Sequence, residues 1–130
     1  MLYVNNLKDV NDIILQNRNS LIVLYFGASW CSPCRLLKKK LTDEYIMNKF
    51  DKLCVLYIDA DKEELDNLFI SYGVSNLPTQ IFSIVNKKNE VIEVDRFTGF
   101  NWDKFIITYN KNYTKLPILE ETNSYYSDSE

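Results

Sequence analysis

Apolar and polar positions along this 130-residue chain change period several times, and each change marks an element. Leu2-Tyr3-Val4 is a short apolar patch that reads as an edge strand. Leu7, Val10, Ile13 and Ile14 recur at helical spacing, so a helix is expected from a cap at Asn5 or Asn6 to about Arg18. Asn17 to Ser20 turns the chain. Leu21-Ile22-Val23-Leu24-Tyr25-Phe26 is uninterrupted and apolar, as a central strand buried on both faces would be. Gly27-Ala28-Ser29 forms a loop, and one long helix is expected from Cys31 to about Phe50. Its inward face would carry Leu36, Leu37, Leu41, Tyr45 and Ile46, with Arg35, Lys38, Lys39 and Lys40 nearer solvent.

Leu53 to Ile58 repeats the buried-strand pattern and closes on Asp59-Ala60-Asp61. Leu65, Leu68, Phe69 and Tyr72 mark another amphipathic helix, ended by Gly73. Pro78-Thr79 opens a strand over Gln80–Val85; Asn86 to Asn89 is a polar turn; Glu90 to Phe97 alternates like an outer antiparallel strand. Gly99 breaks that strand, and Asn101 caps a last helix whose inner face is Trp102, Phe105, Ile106 and Tyr109. The order β-α-β-α-β-α-β-β-α gives an α/β fold: parallel strands with helical crossovers, then a hairpin adding antiparallel strands to the same sheet.

Composition adds limits. Residues 1–115 form one domain, and 46% apolar residues suffice for its core. The net charge of −3 comes from the end of the chain: Glu120, Glu121, Asp128 and Glu130 stand there without a single basic residue. Residues 116–130 therefore read as an acidic tail, aperiodic after Pro117 and expected to be disordered. No basic surface suggests nucleic acid, and no apolar run approaches a membrane span. Met1 to Asp12 lacks the layout of a signal peptide, so the expected compartment is the cytosol. The absence of histidine removes imidazole bases, imidazole metal sites and Cys-His nucleophile pairs.

The chemistry concentrates in Trp30-Cys31-Ser32-Pro33-Cys34-Arg35. Two cysteines separated by two residues can close a disulfide with little backbone movement. A helix beginning at Cys31 would place that sulfur over unpaired N–H groups at the positive end of the helix dipole, favouring thiolate. Pro33 suits a first helical turn, where its missing N–H costs no helical hydrogen bond. Three cysteines are too few for a secreted disulfide framework, and in the cytosol a lone pair of this spacing reads as redox-active. A structural zinc site normally takes four ligands, which one chain without histidine could complete only with carboxylates or a partner chain. Cys54, between Leu53 and Val55, reads as a small buried hydrophobe. Trp30 reads as a surface platform beside the first sulfur, and Asp59 with Asp61 as loop and helix capping rather than a metal site. The three consecutive lysines read as a solvated helix face, and the Tyr and Ser residues of the tail as part of a solubilising extension.

With these residues in place, the chain resembles the thioredoxin family over most of residues 1–115. The resemblance rests on the Trp30–Arg35 segment after a buried strand, Asp59 closing the next strand, Gly73-Val74-Ser75-Asn76-Leu77-Pro78-Thr79, and Gly99 after the last strand. It implies a thioredoxin fold, with a central mixed sheet flanked by helices on both faces. It also implies a protein-disulfide reductase with Cys31 as nucleophile, Cys34 as resolving thiol, and a mixed-disulfide intermediate. Trp30, Ser32, Pro33, Leu77, a cis Pro78 and Gly99 would meet the substrate strand. No bound cofactor or metal is implied; electrons would come from NADPH through a thioredoxin reductase to a monomeric enzyme. Several positions depart from the family: Tyr25 stands where a buried Asp is usual, Leu53 to Ala60 lacks its Lys partner, and Ser32 replaces a glycine. Lys39 stands for a helix-kinking proline, and Gly27 for a tryptophan. A phenol of pKa about 10 is a poor base at neutral pH, which leaves water or the first sulfur to take the Cys34 proton. Two other readings stay open here: a more oxidising disulfide donor or isomerase, and a thioredoxin-fold adaptor whose main task is holding a partner.

Overall fold

The alternation read from the sequence becomes a five-stranded mixed sheet in the computed structural model, which describes residues 1–116. In chain order the elements are β1 (Leu2–Tyr3), α1 (Leu7–Gln16), β2 (Leu21–Gly27), α2 (Ser32–Leu41), α3 (Glu44–Met47), β3 (Leu53–Asp59), α4 (Asp66–Ser71), β4 (Thr79–Val85), β5 (Val91–Thr98) and α5 (Trp102–Tyr113). A 3-10 turn, Glu63–Leu65, leads into α4. The strand order is β1-β3-β2-β4-β5. β1 and β2 run parallel to β3, whereas β4 is antiparallel to both β2 and β5.

β2 is buried along its whole length, as its unbroken apolar run requires. Its side chains divide by parity. Leu21, Val23 and Tyr25 join Cys34, Leu37 and Leu41 of α2 and Phe105 and Tyr109 of α5 on one face. Ile22, Leu24 and Phe26 join Val10 and Ile14 of α1 and Leu65 on the other. The sheet thus separates two apolar layers, each closed by helices. Leu116, which opens the expected tail, packs with the first layer, so the folded part reaches at least that residue. The rest of the tail lies outside the described residues.

Local chemistry sets the boundaries. The Asn6 side chain accepts the Asp9 N–H and caps α1, and Asn101 does the same for α5 through the Lys104 N–H. At the end of α4, Gly73 takes a φ of +65°; its N–H bonds the Ile70 carbonyl, and the Val74 N–H bonds that of Phe69. This paired closure favours a residue without a Cβ.

The single helix expected from Cys31 to Phe50 is instead two. The Thr42 hydroxyl bonds the Lys38 carbonyl at 2.7 Å, and the Asp43 carboxylate caps the Ile46 N–H at 3.1 Å. These side chains offer the backbone partners that a continuing helix would have supplied. With the break, Tyr45 is 74% exposed, and Leu36 on α2 is 53% exposed, so neither lies on the inward face. Leu7 is also exposed, whereas Val10 and Ile14 are buried.

Candidate active site

β2 delivers its C-terminal end into the loop that carries the cysteines. Cys31 is the N-cap of α2, one residue before the first helical position, and it is joined to Cys34 by a disulfide across a Cα–Cα distance of 5.2 Å. The Cys31 Sγ accepts the Cys34 N–H at 3.3 Å. That N–H is one of the donors a helix start leaves unsatisfied, so a negative sulfur here has both a hydrogen-bond donor and the positive end of the dipole. Pro33 lies in the first turn, and no acidic residue stands there to oppose the anion. Arg35 braces the turn: its guanidinium donates to the Ser29 carbonyl at 3.0 Å and to the Ser32 hydroxyl at 3.1 Å.

Cys31 and Cys34 are buried, whereas Ser32, Pro33 and Trp30 are exposed. Trp30 is 65% exposed and fixed at one edge, its indole N–H donating to Asp61 Oδ1 at 3.0 Å. Asp59 accepts the Asp61 N–H, so the acidic turn after β3 orders itself and holds the tryptophan. Among the described residues, no cluster of three cysteine or carboxylate side chains could hold a metal.

The second strand of the site comes from β4. Thr79 pairs with Phe26, which puts the preceding Pro78 at the same end of the sheet as the cysteine loop. The Leu77–Pro78 bond is cis, and the Pro78 carbonyl accepts the Gly99 N–H at 2.7 Å. Gly99 sits at a φ of +89°, where a side chain would be strained. Gln80, missed in the sequence reading as one more strand residue, ties the same corner by donating to the Gly99 carbonyl at 3.1 Å.

Beneath the cysteines lies Tyr25. Its hydroxyl donates to the Cys34 carbonyl at 2.6 Å, and its ring meets Tyr57 edge-on at 5.0 Å. Burial, followed by the neighbouring Tyr57 and Tyr3, raises the Tyr25 phenol far above its ordinary value. Burial and then the charges of Asp59 and Asp61 push Tyr57 up to about 12. Both phenols are neutral donors at pH 7, and neither can serve as a base. The two departures at Tyr25 and Gly27 are spatially one: a Cβ built on Gly27 would meet Tyr25 Cε1 at 2.6 Å. The ring leans along its own strand into the space that a residue-27 side chain would take. Periodicity alone identified Tyr25 as core, but nothing in it tells where the hydroxyl points.

A cavity of about 340 Å³ opens beside this group, lined by Tyr25, Tyr57, Ala28, Cys34, Thr42 and the basic stretch of α2. Cys54 lies elsewhere, on the opposite face of the sheet with Ile22 and Leu56, and burial pushes its thiol up to about 11. It is remote from the disulfide chemistry.

Comparison with known proteins gives a consistent result. The thioredoxin family profile matches residues 3–110. Thioredoxin-T of Drosophila melanogaster is 33% identical over 105 residues, which are 80% of this chain and 62% of that protein. The chain thus spans less than two thirds of that relative. Among solved structures, Fasciola hepatica thioredoxin superposes with a TM-score of 0.70 at 30% identity, covering 85% of this chain and 98% of its own. The germline-specific thioredoxin Deadhead of Drosophila melanogaster gives 0.71 at 29% identity with the same coverage.

Proposed function

Because the chain belongs to the thioredoxin family, we propose that it reduces disulfides of protein substrates through the Cys31/Cys34 pair. The observation that carries this reading is the Cys31–Cys34 disulfide at the N-cap of α2, with its first sulfur accepting a helix N–H. In the dithiol form, the Cys31 thiolate attacks one sulfur of a substrate disulfide; that S–S bond breaks and the other substrate sulfur leaves as thiolate. Cys34 then attacks the Cys31 sulfur, the mixed disulfide breaks, and the substrate departs reduced by two electrons.

The exposed Trp30, Ser32 and Pro33 form the approach to the sulfur, and Leu77, Pro78 and Gly99 form the neighbouring rim on which an extended substrate strand rests. In this reading the backbone groups of Leu77, just before β4, pair with such a strand. Electrons return from NADPH through a thioredoxin reductase, and the enzyme works as a monomer in the cytosol. No helix among the described residues is long and apolar enough to cross a membrane.

Insulin-disulfide reduction with dithiothreitol or a reductase as electron donor tests the reading. Wild type turns over and Cys31→Ser does not; an inactive wild type would end the proposal. Cys34→Ser accumulates mixed disulfides that a reductant releases. Equilibration with a glutathione buffer fixes direction: a potential near −270 mV means a reductant, and one near −180 mV a disulfide donor.

A further inference from the structure

The cavity beside Cys34 bears on the step that the Tyr25 substitution leaves without a base. In the mixed disulfide, the Cys31 sulfur is bonded to substrate and is no longer a thiolate, so it cannot take the Cys34 proton. The groups that face Cys34 supply no alternative. From β2 comes Tyr25, whose hydroxyl already donates to the Cys34 carbonyl, and from β3 comes Tyr57. Asp59 and Asp61, whose charges reach Tyr57, do not line the cavity; they accept from the Asp61 N–H and the Trp30 indole, respectively. Gln80 of β4 turns to the Gly99 carbonyl. α2 contributes only cations, Arg35, Lys38 and Lys39, none of which is ion-paired with a carboxylate among the described residues. The cavity's volume of about 340 Å³ holds several waters.

We infer that this cavity is the proton exit of the resolving step: a water or small neutral base inside it takes the Cys34 proton, and this transfer limits the step. The Cys34 electron pair then forms the bond to Cys31 Sγ, the bond from Cys31 to the substrate sulfur breaks, and that sulfur leaves as thiolate. The cationic wall stabilises the negative charge on Cys34 while it lasts. Tyr25 is a positioning residue, holding the Cys34 backbone without exchanging its own proton. The inference deepens the reductase reading and rests on it for its biological meaning, but its test is independent of protein substrates.

Reduced protein is mixed with 5,5′-dithiobis(2-nitrobenzoate), which Cys31 captures with release of one thionitrobenzoate; attack by Cys34 releases the second, followed by stopped-flow absorbance. At constant pH and ionic strength, the second phase rises linearly with imidazole concentration, about twofold or more across the series, a small part of the roughly 10²–10⁴ of a positioned base. A second phase independent of imidazole means that a group already in the complex takes the proton and overturns the proposal. Tyr25→Phe retains the imidazole dependence and the acid limb of the pH–rate profile. Loss of either would make the phenol the proton carrier, and would equally overturn it. Failure of insulin reduction with imidazole dependence intact would remove the reductase reading alone.

Discussion

Gly27→Ala adds one methyl group at the most crowded point beneath the redox pair. The new Cβ would stand 2.6 Å from Tyr25 Cε1, 3.1 Å from Cζ and 3.2 Å from the hydroxyl. The ring has two ways to respond. It can stay, against Tyr57 at 5.0 Å and bonded to Cys34, and accept strain of about 1–3 kcal/mol as overpacked cores do. It can swing into the adjacent cavity and lose its bond to the Cys34 carbonyl, costing about 0.5–1.5 kcal/mol plus lost ring packing. Either way the substitution destabilises by about 1–3 kcal/mol, which at a urea m-value of about 2 kcal/mol/M lowers the midpoint by roughly 0.5–1.5 M. The decisive control is Tyr25→Leu, which removes the atoms that Cβ meets. In that background Gly27→Ala costs less than about 0.5 kcal/mol, a coupling well above the error of additivity between distant sites. Urea unfolding of the four proteins of this cycle, monitored by far-ultraviolet circular dichroism, measures it. Equal costs in both backgrounds would show that Tyr25 and Gly27 are not one unit.

Other outcomes follow from single contacts. Cys54, whose folded thiol is pushed from 9.0 to about 11, stays protonated longer than in the unfolded chain. Its share of stability, on the order of 2–3 kcal/mol, is therefore intact below pH 9 and is lost as pH rises from about 9 to 11; Cys54→Ala flattens that part of the stability-versus-pH curve. By the same burial, iodoacetamide labels Cys31 alone in the reduced native protein, and Cys34 and Cys54 only after unfolding. Asp61→Ala frees the Trp30 indole, raising KM for a protein disulfide by up to about fivefold with kcat unchanged, corresponding to about 1 kcal/mol of hydrogen bonding. Asp43→Ala removes the N-cap of α3 and costs about 1 kcal/mol in a urea melt, without changing the thiol chemistry.

The strands were legible because burial on both faces demands continuous apolar runs, and Leu21–Phe26 and Leu53–Ile58 satisfy that demand with few alternatives. Gly73 and the asparagine caps were legible because their signals are local. The break at Thr42–Asp43 was carried by residues that bond the backbone as well as they tolerate a helix, and helical spacing on both sides concealed it. Tyr45 then fell on the outer side, whereas Leu36, before the break, lies on the exposed face of α2. Within the candidate site, the cysteines were legible from spacing and context, whereas Gln80 and Arg35 carry no pattern that separates a brace from an ordinary strand or helix residue.

By itself the sequence determined the alternation of elements and the cysteine pair at a helix start. These follow from the period of apolar positions and from which functional groups the chain contains. That Tyr25 stands where a carboxylate is usual came from the resemblance to the thioredoxin family. Only the tertiary structure decided where the Tyr25 hydroxyl points. Tyr25 bonds the Cys34 carbonyl because Gly27, two residues on and on the same face, leaves its ring room, and because β3 offers Tyr57 rather than a lysine alongside. Such a position is set by three elements meeting across the sheet, and contacts made through space leave no periodicity in the chain.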